Sequence, residues 1–593
     1  MMRRPAAAPI RRSQISRAAV VPSPVGGWNA RDPLAAMAPE DAVILNNWFP
    51  TPGGVSLRNG SANWATGLGN QVNTLMSYNP ASGTPKLFAA AGGSVYDVTA
   101  PGAVGAPAVG SLGSDKWSYT NFATPAGPFL VMFNGVDTGE IYDGTTWHPV
   151  RTATAQTISS ITAVGTTATL TTASPHGLTS GDQVTVSGAT PAQYNGTFTI
   201  TVTGTSTFTY VMTSAPGGNA TVVGSYAVLW SITGVDPTSI NFVIPFASRL
   251  WLIEKQSLNA YYLPPISVAG AASVFPMQQL FRRGGYLVSA GVWTVDGGYG
   301  MQDYLCFVTS EGEIAVYGGT DPSQSSTFSL VGVYQLGTPM GNRCFLKYGG
   351  DLLYIGKDGL GPISQLLASS RVNTHQEFTY KIQGAISQAT SLYATNFGWQ
   401  MLLHPIQNQL YLNVPVATGQ QQQFVMNTIT GAWCNFSGWP ANCWERFQDQ
   451  IFYGGNGVVV QAWANNLDDN GVAIQAEALQ AFQNFGSPQM KQFTMVRPIL
   501  ESNGQPQIQI RLNTDFDQGA PNGLPTFPFP SVGVWDASLW DRSLWAPTGL
   551  TFSSWENASG IGTWGAMHIV SNALDATLEW TATSYLMQDG GVL

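Results

Sequence analysis

Tyr304-Leu305-Cys306-Phe307-Val308, followed by Gly312-Glu313-Ile314-Ala315-Val316-Tyr317, is the stretch on which the fold reading turns. Two short apolar runs, rich in β-branched and aromatic residues, flank a glycine turn. That is the grammar of an antiparallel hairpin. The grammar recurs along the chain. Residues 86–90 precede 92–98, and 129–133 and 140–143 flank Asn134-Gly135, a strong turn dipeptide. Residues 250–253 precede 258–262, 351–356 precede 359–363, and 450–454 precede 457–460. Two units reach a tryptophan after a polar turn, Asp143-Gly144-Thr145-Thr146-Trp147 and Asn427-Thr428-Ile429-Thr430-Gly431-Ala432-Trp433. Degenerate repeats about 40–50 residues apart predict propeller blades. A series of β-sandwiches is the alternative.

Residues 156–228 break the pattern. They hold 19 threonines and one charged side chain, Asp182. Phe198, Ile200 and Val202 alternate with Thr197, Thr199, Thr201 and Thr203, and Phe208, Tyr210 and Met212 repeat the period. This predicts a small all-β domain inserted into a propeller loop, with a pleated, half-exposed sheet. After residue 473, Gln507-Ile508-Gln509-Ile510-Arg511-Leu512 alternates as a strand, a Pro-rich stretch runs from Pro521 to Pro530, and tryptophans stand at 535, 540 and 545.

The expected class is all-β: a β-propeller with an inserted small β domain and a C-terminal β domain. The boundaries are a flexible basic arm at 1–25, an extended segment at 26–70, propeller at 71–155 and 229–472, the insertion at 156–228, and the C-terminal domain at 473–593. Within 26–70, Pro39-Glu40-Asp41-Ala42-Val43-Ile44-Leu45 reads as one short helix with proline and acids in its first turn.

Composition narrows the function. The 593 residues are 44% hydrophobic but only 10% charged, against roughly 25% in an ordinary soluble domain. A surface so poor in charge suits permanent packing against other subunits, or a secreted, β-rich protein. No apolar run approaches the ~20 residues of a spanning helix, and the N-terminus lacks the apolar core of a signal peptide. The net charge of −9 argues against a general phosphate binder. Arg3, Arg4, Arg11, Arg12 and Arg17 form a basic arm with no acid among them. It reads as a solvated tail, or as an arm that docks on an acidic partner subunit or on nucleic acid.

Chemical motifs are sparse. The cysteines, Cys306, Cys344, Cys434 and Cys443, have no C-x-x-C spacing and read as buried free thiols, with a Cys434–Cys443 bridge as the alternative. No G-x-S-x-G, Walker or H-E-x-x-H motif occurs, and no carboxylate set of a propeller glycosidase can be assembled. His176 reads as a turn cap, and Asp515 and Asp517 as turn and strand-end residues. Neither a catalytic residue nor a cofactor is therefore expected. Asn466, Asp468, Asn470 and Glu477 have the oxygen-ligand spacing of a calcium loop. Asn at the first position and the strand-like Val458-Val459-Val460 before it favour a plain polar linker. Trp28, Trp48, Phe49, Trp535, Trp540 and Trp545 are candidate core or interface anchors.

Several segments together resemble the tail tubular or nozzle proteins of short-tailed bacteriophages, including the related DNA-stabilisation tail proteins. These are Gly26-Gly27-Trp28-Asn29, Leu45-Asn46-Asn47-Trp48-Phe49-Pro50 leading to Arg58-Asn59-Gly60, the segment 485–493 with Arg497-Pro498, the 535–545 tryptophans, and the ending 578–592. The resemblance covers roughly residues 26–593, and the insertion looks like a Thr-rich module of phage tail proteins. It implies a virion structural protein, assembled in the host cytoplasm, of which six copies form a ring below the portal and adaptor. The ring would continue the DNA channel, retain packaged DNA and open at ejection, with tail fibres or spikes as further partners. Double-stranded DNA would pass without sequence specificity: six copies at −9 each would carry −54, and an acidic lumen does not hold phosphates. The N-terminal segment and 473–593 are expected to build the platform facing the adaptor, with the propeller outside it or distal. A receptor- or glycan-binding tail protein is the alternative function, and a propeller carbohydrate-active enzyme a lesser one.

Overall fold

Strand Ser61–Tyr78 belongs to two sheets and closes the ring of blades. Its first part, 61–66, pairs with Asn456–Ala462; its second, 72–78, pairs with Lys86–Ala91. The structure, a computed structural model, describes residues 16–152, 157–296, 300–368, 378–522 and 550–589.

Among these residues the sheets resolve into seven blades. Blade 1 runs from 72–78 through Lys86–Ala91 and Ser94–Asp97. Blade 2 comprises Ser118–Thr124, Gly127–Phe133, Glu140–Tyr142 and Trp147–Pro149. Blade 3 comprises Ile240–Phe246, Arg249–Glu254, Asn259–Tyr262 and Ser273–Pro276, and blade 4 Leu287–Asp296, Met301–Thr309, Glu313–Gly319 and Phe328–Gln335. Blade 5 has three strands, Phe345–Tyr348, Asp351–Gly356 and Gly359–Pro362. Blade 6 comprises Gln400–His404, Gln409–Ala417, Gln420–Asn427 and Trp433–Phe436. Blade 7 comprises Cys443–Phe447, Gln450–Gly454 and Asn456–Ala462, with 61–66 as its outer strand. A late strand is thus hydrogen-bonded to an early one, and no unpaired edge is left at the join. The fold is a β-propeller.

The grammar of the polar turns explains the outer strands. Asp143 accepts from the amides of Thr145 and Thr146, and Asn427 from those of Ile429 and Thr430. Such side-chain-to-backbone bonds fix tight turns, and Trp147 and Trp433 each open the fourth strand of a blade.

Between blades 2 and 3, six strands form a separate barrel in the order Ile158–Val164, Thr167–Thr172, Thr207–Val211, Gly196–Gly204, Gln183–Ser187, Ser225–Val228. A bridge between Thr157 and Ser225 closes it. Ile161, Leu170, Val184, Ile200, Phe208 and Tyr226 fill its own core, apart from the propeller. The threonines alternate outward, as their period requires.

Apart from a two-stranded pairing of Ile232–Thr233 with Gly270–Ala271, most of the remaining strands build two further sheets around one core. One holds Trp48–Pro50, Val55–Leu57, Glu579–Asp589, Lys491–Ser502 and Leu550–Phe552, with Ser16–Pro22 and Glu556–Gly562 attached. The other runs Asp41–Asn46, Ile474–Gln480, Gly565–Ala573, Gln507–Thr514, and continues blade 6 through a parallel contact between Asn46 and Asn435. Their shared core includes Trp48, Phe493, Ile569 and Trp580 together with Tyr411, Phe436 and Trp439 of the propeller.

Two expectations change. The segment at 39–45 is not helical: Asp41–Asn46 is a strand, because its apolar residues find partners in Ile474–Gln480. Local acids and proline are overruled by that tertiary pairing, and Asp41 instead accepts from Asn29 and Lys381. The arm at 1–25 is not free over its last part. Ser16–Pro22 pairs in register with the strand Glu579–Asp589, and Val21 reaches the core. No helix among the described residues is long and apolar enough to cross a membrane.

Candidate functional site

The segment that carries the resemblance folds into the joint between propeller and C-terminal sheets. Asn47 sits between two short strands with φ 60°, a left-handed conformation that Asn tolerates. Its side chain donates to Gln475 O (2.7 Å) and Ser437 Oγ (3.2 Å), and accepts from Arg58 Nε (2.9 Å) and the amide of Ser437 (2.9 Å). Arg58, 1% exposed, pairs with Asp469 through both terminal nitrogens, at 3.0 and 2.5 Å. Its guanidinium lies 4.3 Å from the Trp439 ring centroid. Asp469 also accepts from Ser61 Oγ (2.9 Å) and Trp439 Nε1 (3.0 Å). A Cβ on Gly60 would lie 1.8 Å from the Asp468 carbonyl oxygen, so only glycine lets these backbones meet.

This joint explains the calcium-loop pattern. Asp469 is neutralised by Arg58. Asp468 accepts from the amide of Gly471 (2.9 Å) and from Asn466 Nδ2 (3.0 Å), and the first of these bonds leads in holding its carboxyl below the usual range. Asn470 accepts from the Asn63 amide at 3.4 Å. Glu477 lies in the strand Ile474–Gln480 and bonds His568 Nε2 at 2.9 Å, which lowers its pKa. Asn466 and Asp468 bond each other while Asn470 and Glu477 bond elsewhere, and the described residues contain no cluster of three metal-ligating acids, histidines or cysteines.

The aromatic anchors divide. Trp48 (0% exposed) stacks edge-on against Trp580, and Phe49 against Trp463. Trp28 packs on Phe424 at 5.3 Å. As interface candidates, Trp48 and Phe49 are corrected: they are buried inside their own chain, because the joint needs large apolar side chains where two units share a core. Trp28, half-buried, makes the same kind of internal contact. Trp535, Trp540 and Trp545 lie outside the described residues.

The second polar cluster, on the propeller axis, escaped sequence reading. A cavity of ≈ 560 Å³ is lined from all seven innermost strands. On its wall Glu445 of blade 7 accepts from Ser77 Oγ of blade 1 (2.7 Å) and from the Tyr119 hydroxyl of blade 2. Burial pushes the Glu445 carboxyl up to about 7, against these hydroxyl donors and the positive charge of Arg343. Arg343 donates to Gln400 Oε1 (3.2 Å), Asn73 O (3.1 Å) and Thr74 Oγ1 (3.0 Å). The cluster ties blades 7, 1, 2, 5 and 6 together where the ring closes. Only the isolated acid in Cys443-Trp444-Glu445-Arg446-Phe447, inside an apolar strand, signals it in sequence.

The cysteines are free and buried. Cys434 bonds Val425 O and Cys443 bonds Val72 O, in different blades, so the alternative bridge is not formed. His176 does cap its turn, accepting from the Leu178 amide at 3.0 Å. Asp515 accepts from the amides of Thr563 and Trp564, and Asp517 pairs with Arg511 at a strand end.

No family model and no curated protein matches the chain. Among solved structures it is similar to YCF48 from Cyanidioschyzon merolae, at 10% identity over 70% of this chain and 97% of that one, with a TM-score of 0.22. It is likewise similar to Sqt1 from Saccharomyces cerevisiae, at 10% identity over 68% and 99%, with a TM-score of 0.34. A putative 6-phosphogluconolactonase from Bacteroides fragilis matches at 10% identity over 61% and 90%, with a TM-score of 0.26. Similarities this remote carry no functional argument.

Proposed function

We propose that this chain is a structural virion protein, the subunit of the tail tube or nozzle of a short-tailed phage. One observation carries the reading. The signature Leu45–Gly60 by which the chain resembles that family is devoted to an internal joint: Asn47, Arg58 and Gly60 lock the propeller to the C-terminal sheets. A subunit that holds pressurised DNA needs such a joint. Ser61–Tyr78 runs directly from it into both ends of the propeller ring, so load on one unit passes to the other through paired backbone.

In this reading six copies form a ring with the portal and adaptor on one side and fibres or spikes attached, and duplex DNA passes along the ring axis. The ≈ 560 Å³ cavity on the propeller axis is far smaller than a duplex would need, so in this reading the channel runs between subunits. The charge-poor composition suits lasting subunit contacts. The reading includes no catalysis.

Immunogold labelling of purified particles from the source culture, with antibody against this chain, tests it. Gold at the tail or collar is expected, and the purified assembly is expected to be a six-fold ring. Particles free of the chain overturn the proposal.

A further inference from the structure

A second cleft, of ≈ 500 Å³, opens at one end of the propeller axis. Asn73, Lys116, Phe397 and Asn442 stand at or just before the innermost strands of blades 1, 2, 6 and 7, and Gln421 stands on the blade 6 hairpin that turns back to the same end. Five of the eleven lining residues carry side-chain amides and none carries a carboxylate. The amides form a directed relay: Gln421 Nε2 donates to Asn442 Oδ1 (3.0 Å), Asn442 Nδ2 to Asn73 Oδ1 (2.9 Å), and Asn73 Nδ2 to Asp115 (2.9 Å). The relay leaves one end unmet. Gln421 is only 7% exposed, and its Oε1 is buried without a hydrogen-bond partner. A buried acceptor left unmade is costly, so an O–H or N–H donor is called for there.

The charge of the cleft runs against that of the chain. Lys116, exposed, places its ammonium 4.5 Å above the Phe397 ring and has no carboxylate partner among the described residues. Arg343, 5.3 Å from the same ring, is hydrogen-bonded to neutral acceptors. A cleft of this size takes a small ligand. Amides both donate and accept, as sugar hydroxyls do, while the unpaired ammonium asks for an anion.

We propose that this cleft binds an acidic saccharide, its hydroxyls on the Gln421–Asn442–Asn73 amides and its carboxylate at Lys116. The proposal does not depend on the virion reading. Calorimetric titration of the full-length protein tests it, with tetragalacturonate, the neutral maltotetraose and inorganic phosphate as probes. Tetragalacturonate is expected to bind, at least tenfold more tightly than either other probe, with affinity falling as salt rises. Lys116→Ala and Gln421→Leu are each expected to weaken it tenfold or more. Absence of heat with tetragalacturonate, equal affinity for maltotetraose or phosphate, or unchanged affinity in Lys116→Ala overturns the proposal. Should Gln421→Leu not fold, Lys116→Ala, at an exposed position, decides alone.

Discussion

Arg58 and Asp469 stand 411 positions apart in sequence and meet in a two-pronged ion pair, Nη1 to Oδ1 at 3.0 Å and Nη2 to Oδ2 at 2.5 Å. The guanidinium is fully enclosed, and every partner it has belongs to the joint. A buried pair of this kind adds little stability over an apolar substitute, but breaking it strands a charge. Arg58→Ala is therefore expected to lose about 3–5 kcal/mol of stability. Arg58→Lys is expected to rescue little, since an ammonium cannot span both carboxylate oxygens. Urea unfolding of the two variants checks this; a loss under ~1 kcal/mol in Arg58→Ala would mean the pair is incidental.

Gly60→Ala tests the same joint through the backbone. The added methyl carbon would meet the Asp468 carbonyl oxygen at 1.8 Å, and no side-chain rotation relieves a clash with main chain. A loss of roughly 3 kcal/mol or more, or failure to obtain soluble protein, is expected. Wild-type melting behaviour would show that the joint opens without cost.

Glu445 makes stability depend on pH. Burial raises its folded-state pKa to about 7, above the ordinary carboxylate value, so the folded protein holds this proton more tightly than the unfolded chain does. Its contribution is full below about pH 4.5 and is lost as pH rises to about 7. Glu140, raised by burial to about 8, acts in the same direction over a window reaching higher pH. Melting temperatures of wild type and Glu445→Gln, measured from pH 5 to 8, are expected to diverge, the variant becoming relatively more stable with rising pH. Parallel curves would remove Glu445 as a contributor.

The insertion is expected to fold alone. Its core shares no buried residue with the propeller, and its ends lie side by side: Arg151 bridges Ser231 and Thr157 bridges Ser225. One ion pair, Arg151 to Asp182 at 2.8 Å, reaches across. Isolated 157–228 is expected to unfold cooperatively, and the chain with that segment replaced by a short Gly/Ser link to keep the melting temperature of its propeller. Insoluble expression of the shortened chain would contradict this.

All four thiols are buried, and burial pushes Cys344 and Cys443 up to about 12. Since the thiolate is the reactive form, a disulfide reagent is expected to titrate almost none in the native protein and four after denaturation. Rapid native reaction of one thiol would expose an opening of the ring.

Much of the fold was legible because blade strands are short, regular and closed by turns whose chemistry is local. The hairpin at 304–317, the Asn134-Gly135 turn and the polar turns before Trp147 and Trp433 each state their structure within a dozen residues. The threonine alternation at 197–203 likewise declared a two-faced strand. What failed was the reading of residues that act at long range. Asp41–Asn46 has the local signs of a helix start, yet a strand more than 420 positions away claims it. Trp48 and Phe49 stood equally as core or interface anchors; packing against distant propeller and C-terminal strands puts them in the core.

The sequence by itself determined the β class, the repeated hairpins, the foreign composition of the insertion and the scarcity of catalytic motifs, since all of these follow from local propensity and counting. Only the tertiary structure decided that the described residues form seven blades, that 61–78 closes the ring, and that Asp469, in the segment that reads as a polar linker, holds a guanidinium. It alone revealed the paired clusters at Glu445 and Gln421. Their members come from several blades and the segments that enter them, and no local pattern records which of these a closed ring will bring together.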